Sequence, residues 1–483
     1  MKRIAGWMLL VTGLLISSVS SIYAQVQAVP MKDTSQVFSL TDLEELMFQY
    51  NPMLKQADLL STQARMQVRA ARGKFDPALK AGFDRKEFGT TEYYNKWASE
   101  LKIPIWLGGA DLKVGYDRMV GDYLNPEHYT GNTGLSAVGI NIPLGQGFLI
   151  DERRRVLRQA QAMAGYAEGE RVKQIISVWF TAVQDYWNWY NAWAQYRLVS
   201  EGVTLAQTRF DALRNQTYLG DKPAIDTVEA IITLQDRQQQ LTKTTVDLAN
   251  TRLILSNHLW SDNGHPLELP ESARPFSAPD LARPNTAVLD SLLALAAEAH
   301  PELVKSRSKQ TELQIERRYR AEMLKPKLNV TGSLLSRRTD LGSQVPGSYD
   351  YGIRNYKVGV DFALPLFLRA ERGKLSETRA KLQAVTLGLQ DADRQIRTGV
   401  HTAFNALHAY ESQLGTQQYS ILNQQTLLTA EQQKFELGES TLFLINSRET
   451  KLLDMKIKYI ELTVNYQKKL AELFYKAGTR WVE

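Results

Sequence analysis

The sequence predicts a mainly α-helical chain with strands of membrane length. One unit, of helix, strands, long helix and return helix, occurs twice in it. Three observations predict this. Landmarks recur in order: Asn51-Pro52 and Pro77 reappear 249 residues on as His300-Pro301 and Pro326. Residues 151–218 contain no proline and are rich in Glu, Gln, Ala, Arg and Leu, which favours one uninterrupted helix. Before each long helix lie alternating apolar and polar runs of about 9–11 residues, the length of a tilted bilayer-crossing strand.

The repeat can be followed further. Pro143-Leu144 matches Pro365-Leu366 at an offset of 222, Gln174-Ile175 matches Gln395-Ile396 at 221, and Leu219-Gly220 matches Leu437-Gly438 at 218. The offset jumps once, by 27 residues, between Pro77 and Pro143. That is the size of one extra hairpin in the first half, and it leaves four or six strands per copy open.

The 483 residues include no cysteine, so disulfides, thiolate metal sites and a lipid-anchored cysteine are excluded. The net charge of +6 is interspersed, and no basic face or stacking motif points to nucleic acid. Residues 1–24 read as a secretory signal: Lys2 and Arg3, an apolar run at 7–16, then small residues ending at Ala24. That run is shorter than the ~20 residues of a membrane helix.

Taken in order, residues 25–38 read as loose and polar. Thr41 and Glu44 have capping-box spacing. The helix that follows is interrupted at Asn51-Pro52 and resumes to about Arg72. Strands are expected within 77–143, with Leu79, Ala81 and Phe83 alternating in the first and further runs at 96–106, 110–119 and 134–143. The first helical hairpin is expected over 151–260, turning at Leu219-Gly220, and completes a first repeat of 25–260. Residues 261–284, with Pro266, Pro270, Pro275, Pro279 and Pro284, form a linker that no single helix can include. The second repeat spans 285–478, with strands within 326–365 (327–336 and 356–364) and a helical hairpin over 369–477. Trp179, Val183, Tyr186, Tyr190 and Trp193 step by fours and threes, as do Val400, Phe404 and Leu407. That spacing favours helix packing over a ligand-binding stripe. Each entering helix and each return helix is about half a rod long, so the two are expected to stack end to end beside it.

Four to six strands cannot close a barrel, and lipid does not tolerate open sheet edges. Copies must therefore share one barrel, three of them supplying twelve strands if each gives four. The helices would continue that cylinder as a hollow duct.

The duplicated order of helix with an Asn-Pro or His-Pro break, strands, Pro-Leu turn, long helix, glycine tip and return helix resembles the TolC-like outer-membrane efflux proteins, over about 39–476. The resemblance implies a homotrimer whose β-barrel sits in the outer membrane and whose α-helical barrel crosses the periplasm. It implies partners too: a periplasmic adaptor protein, an inner-membrane pump and outer-membrane lipid. The implied function is the exit duct of a tripartite efflux system, conducting passively. Type I protein secretion is the alternative within the family, and a periplasmic coiled-coil scaffold the alternative outside it.

The resemblance places function at the tip. Gly220 and Gly438 match the turns that meet the adaptor, although a plain helix stop explains them equally. Asp226 and Glu229 share a helical face, where three copies would stack carboxylate rings that favour cations. Ordinary first-turn acids are the competing reading. The second-half equivalents are Leu444 and Ser447, and Arg448 is placed to pair with an acid on a neighbouring helix at the pore entrance. No catalytic group, metal site or cofactor is expected: the six histidines show no ligand spacing, and phosphate loops and GxSxG are absent.

Overall fold

The computed structural model describes residues 27–28, 37–276, 283–339, 348–349 and 351–481. The expected signal at 1–24 and linker residues 277–282, including Pro279, lie outside the described residues.

Two short strands come first, Gln27–Ala28 (β1) and Val37–Phe38 (β2), then helices Leu40–Tyr50 (α1) and Pro52–Arg72 (α2). Four strands follow: Ala78–Phe88 (β3), Thr91–Pro104 (β4), Asp111–Val120 (β5) and Leu135–Pro143 (β6). The long helix Glu152–Tyr218 (α3) turns into Ala224–Ser256 (α4). The linker contributes Leu267–Glu268 (β7) and Arg274–Pro275 (β8). The order of long elements then recurs: Thr286–Ala299 (α5), Pro301–Glu322 (α6), Lys327–Ser336 (β9), the short Arg338–Thr339 (β10) and Ser348–Tyr349 (β11), Tyr356–Ala363 (β12), Arg369–Glu436 (α7) and Leu442–Lys476 (α8).

Helix ends follow side-chain chemistry. The first cap differs from the sequence reading: Ser39, not Thr41, caps α1. Its hydroxyl accepts from the Asp42 amide at 3.1 Å while Asp42 accepts from the Ser39 amide at 2.9 Å. Asp42 replaces the Glu expected at that position, and Thr41 falls inside the first turn. Asn51 ends α1 and starts α2, with Pro52 at the first helical position where its missing N–H is harmless.

The entering and return helices do stack end to end. The Asn51 amide donates to the His258 carbonyl just beyond α4, at 3.1 Å. In the second half Gly478, just beyond α8 with φ of 76°, lies against His300 and Pro301 at the start of α6. The 67 and 68 residues of α3 and α7 make rods of roughly 100 Å.

The core sits at mid-rod. Trp179, Ala182, Val183, Tyr186, Trp187, Trp189 and Tyr190 of α3 are buried with Val400, Phe404 and Leu407 of α7 and with Leu43 and Met47 of α1. The aromatic spacing is therefore a packing seam, but burial extends around α3 beyond it. The loose reading of 25–38 is corrected where residues are described. β1 pairs in parallel with β7 and β2 with β8, so the N-terminal stretch ties down the proline-rich linker. Phe38 is buried, and its carbonyl accepts from the Tyr186 hydroxyl at 3.1 Å. Backbone pairing overrode a polar composition there.

The six long strands form one antiparallel sheet in the order β12-β9-β6-β5-β4-β3. β4 begins at Thr91 instead of 96, because Tyr93 and Tyr94 mask the alternation while Gly89 and Thr90, both at positive φ, make a tight turn. The first half contributes four strands and the second half two.

Candidate functional site

Three places in this fold are candidate functional sites: the helical tip, the sheet, and the junction between sheet and helices.

At the tip, α3 and α7 end alike. The Asp221 amide donates to the Gln216 carbonyl and the Gly220 amide to Thr217; Glu439 to Lys434 and Gly438 to Phe435 repeat the pattern. This double bond needs a left-handed residue, and Gly220 and Gly438 have φ of 86° and 80°. Apart from the adjoining residues, no atom lies within 4 Å of where a Cβ would stand on either glycine, so both turns present open backbone.

The acids of α4 have different surroundings from each other. Glu229 accepts from the Asn446 amide at 3.2 Å, and Asn446 in turn accepts from Arg209 at 3.2 Å. Arg209 makes a two-pronged pair with Glu449, at 2.6 and 2.5 Å. Asp226 stands half-exposed one turn nearer the tip. Arg448 lies 3.8 Å from Glu431, on its own hairpin partner α7, and Leu444 and Ser447 are exposed. Glu229, Asn446, Ser447 and Arg448 thus line one groove between α4 and α8, into which Asp226 and Leu444 do not enter. Beside it Arg237 is buried, donating to Thr450 at 2.9 Å and to Gln240 at 3.0 Å. Burial pushes its guanidinium down from the usual value, against the pull of Asp454, Glu449 and Asp236. Sequence reasoning missed Arg209 and Glu449 as a pair, since no spacing rule links residues 240 apart.

The sheet has two unlike faces. Across the register run Leu79, Leu101, Val114, Val138, Leu334 and Tyr356, with Phe83 opposite Trp97, Leu112 opposite Ile140 and Val330 opposite Val360. The other face carries Lys80, Glu100, Lys113, Asp117, Asn141, Thr331 and Asp361. Aromatics mark both ends of the strands. Phe75 and Trp106, with rings 5.0 Å apart, lie at the helix end, and Tyr93 stacks on Tyr123 at 4.5 Å at the far end. An apolar band between aromatic rings is the pattern of an outer-membrane strand wall.

At the junction, Asp151 caps α3 by accepting from the Arg154 amide at 3.0 Å. The buried Arg154 guanidinium also reaches Asp151 at 2.9 Å and the carbonyls of Gly147 and Phe148 at 2.6 and 3.0 Å. Arg153 donates to Asp151 at 2.9 Å, to Asp111 at 2.6 Å and to the Gly109 carbonyl at 2.9 Å. Burial acts to raise the Asp151 carboxyl, but hydrogen bonds from Arg154 and Arg153 outweigh it and hold the group below the ordinary carboxylate value. One turn along α3, Arg155 pairs with Glu316 of α6 at 2.9 Å.

Among the described residues no helix is long and apolar enough to cross a membrane, and no cluster of three His, Cys, Asp or Glu could hold a metal ion.

Residues 292–479 match the family model of the outer membrane efflux proteins. No curated protein matches the chain. Its fold is shared by solved structures, among them three outer-membrane proteins. The Neisseria gonorrhoeae MtrE outer membrane channel, in its open state, matches with a TM-score of 0.64 at 14% identity, covering 91% of this chain and 89% of that one. The Vibrio cholerae outer membrane protein VceC gives 0.62 at 12%, covering 92% and 97%. The Campylobacter jejuni CmeC outer membrane channel gives 0.61 at 15%, covering 92% and 87%. Residues 292–479 thus carry the sequence pattern of the outer membrane efflux proteins, and over most of its length the chain has the fold of these outer-membrane channels.

Proposed function

We propose that the protein is the exit duct of a tripartite efflux system, passing small molecules across periplasm and outer membrane by passive conduction. The observation that carries this is one sheet, apolar on one face and polar on the other, set at the end of helical rods of roughly 100 Å. The polar face suits a water-filled lumen and the apolar face suits lipid. On this reading three copies close the barrel in the outer membrane, and their helices enclose the tunnel. The halves 25–260 and 285–478 are two copies of one unit, joined by the linker 261–284.

The chain holds no phosphate loop, so energy comes from an inner-membrane pump, coupled through a periplasmic adaptor that docks on the tip. The open turns at Gly220 and Gly438 support that docking. Asp226, Glu229, Leu444, Ser447 and Arg448 form the pore entrance, with cation preference supplied by rings of Asp226 and Glu229. The apolar sheet face weighs against a soluble scaffold.

Substituting tryptophan at Gly438 is expected to abolish efflux in cells while leaving detergent-resistant oligomers intact; full efflux would remove the tip from the reading. Replacing Asp226 and Glu229 with alanine is expected to weaken cation preference in single-channel recordings, and unchanged selectivity would count against the rings.

A further inference from the structure

We propose that the extra hairpin β4–β5 is part of the barrel wall, so that every copy contributes six staves, and that β3 of one copy pairs with β12 of the next. The inference rests on the shared-barrel reading above.

Four observations carry it. First, both inserted strands keep the two-faced pattern of their neighbours. Trp97, Leu101, Leu112 and Val114 continue the apolar face, and Glu100, Lys102, Lys113 and Asp117 continue the polar one. A hairpin lying on the rim or plugging the lumen has no need of a lipid-compatible face.

Second, the hairpin is built into the helical duct. Its helix-side turn is bonded to the first turn of α3 through Arg153, which holds the Gly109 carbonyl and Asp111. Lys102 of β4 reaches the same Asp111 at 3.0 Å.

Third, the hairpin brings its own aromatic at the helix-side boundary, Trp106, and Tyr93 and the loop residue Tyr123 at the other.

Fourth, the sheet edges are unfinished. On β3 Leu79 and Phe83 are 73% and 62% exposed, and on β12 Val358, Val360 and Phe362 are 62–66% exposed, whereas Val114 and Ile140 inside the sheet are 37% exposed. With six alternating strands, β3 and β12 run in opposite directions, so copies related by rotation meet in antiparallel pairing.

A second copy is the occupant that fits these edges. β3 and β12 do not pair with each other within the chain. Six strands closed on themselves would make a ring only ~12 Å across, narrower than the eight-stranded barrels whose interiors side chains already fill. Lys80, Glu100, Lys113 and Asp117 would have to pack inside it.

Width supplies an independent check. With strands ~4.8 Å apart and tilted by ~40°, eighteen staves make a ring about 36 Å across, and twelve make one about 24 Å across. A ring of twelve helices spaced ~10 Å measures about 39 Å. Six staves per copy therefore let the duct pass from helix to sheet without narrowing, and the outer mouth is not its constriction.

The test is electron microscopy of the full protein in detergent, viewed down the symmetry axis. A threefold ring of eighteen staves about 36 Å across is expected. A threefold ring of twelve staves would overturn the assignment of β4–β5 while leaving the trimer standing. A twofold ring of twelve would support six staves per copy and sink the trimer. Because the chain has no cysteine, single replacements give a second readout in cells. Glu100→Cys is expected to react with a charged, water-soluble thiol reagent at least tenfold faster than Val114→Cys. Equal reaction at both would place the hairpin in water and overturn the proposal.

Discussion

The two places where sheet passes into long helix are built differently. At the first, Asp151 caps α3, and Arg153 and Arg154 tie cap, turn and hairpin together. At the second, Leu368 precedes α7 in the left-handed conformation, φ 49°, with no side-chain cap, and Leu366 and Phe367 stand 85% and 69% exposed. The same Pro-Leu turn thus serves two ends. The first junction is self-sufficient because the extra hairpin brings Asp111 and the Gly109 carbonyl to it. The second leaves its apolar side chains exposed on the single chain.

That contrast can be broken by substitution. The largest expected effect is from Arg154→Ala, which leaves the Gly147 and Phe148 carbonyls without their donor and Asp151 with Arg153 as its remaining guanidinium; a loss of about 2–3 kcal/mol is expected, read as a lower thermal midpoint of the detergent-solubilised protein. The matching change at the second junction, Arg369→Ala, removes an exposed guanidinium that lies 5.0 Å from the Phe367 ring centre. It should cost at most about 1 kcal/mol. Equal losses at the two sites would erase the distinction.

Glycine exchange should have opposite signs. Gly147, φ 95°, precedes α3, and Gly147→Ala is expected to destabilise by about 1–2 kcal/mol. Leu368→Gly relieves a left-handed leucine and should stabilise by about 1 kcal/mol or less. Chemical unfolding of both variants checks the pair.

The pH response should separate the junctions too. Asp151 has a lowered value in the folded chain, so the stability it contributes is present above the ordinary carboxylate value of about 3.9 and is lost as pH falls through the folded one. The thermal midpoint of the native protein is expected to drop more between pH 5 and 3 (roughly that window) than that of Asp151→Asn. Parallel curves would show that the cap does not titrate with folding.

How far the sequence reveals this molecule follows from how local each cause is. Pro52, Pro301, Gly220 and Gly438 act through their own backbone, so their recurrence located the breaks and turns. The alternation in β6, β9 and β12 named the two faces because side-chain direction in a strand is fixed by parity. The start of β4 was hidden by adjacent tyrosines. The cap at Ser39 was hidden by a better-looking pair two residues on. What stayed illegible was long-range: Arg153 with Asp111, Arg155 with Glu316, Arg209 with Glu449, and the pairing of the N-terminal stretch with the linker. Those contacts depend on which helices and strands become neighbours, which no local pattern records. At the tip, Asp226 and Glu229 both lie on α4, but only Glu229 lines the groove between α4 and α8.

The central claim is that copies of this chain complete one membrane barrel. Its most direct test is the protein mass of the particle extracted in detergent from the membrane fraction, by light scattering with the detergent contribution subtracted. The account predicts a membrane-derived particle of three chains. A single chain recovered from the soluble periplasm would contradict it, leaving the long helices in place but no duct for them to enclose.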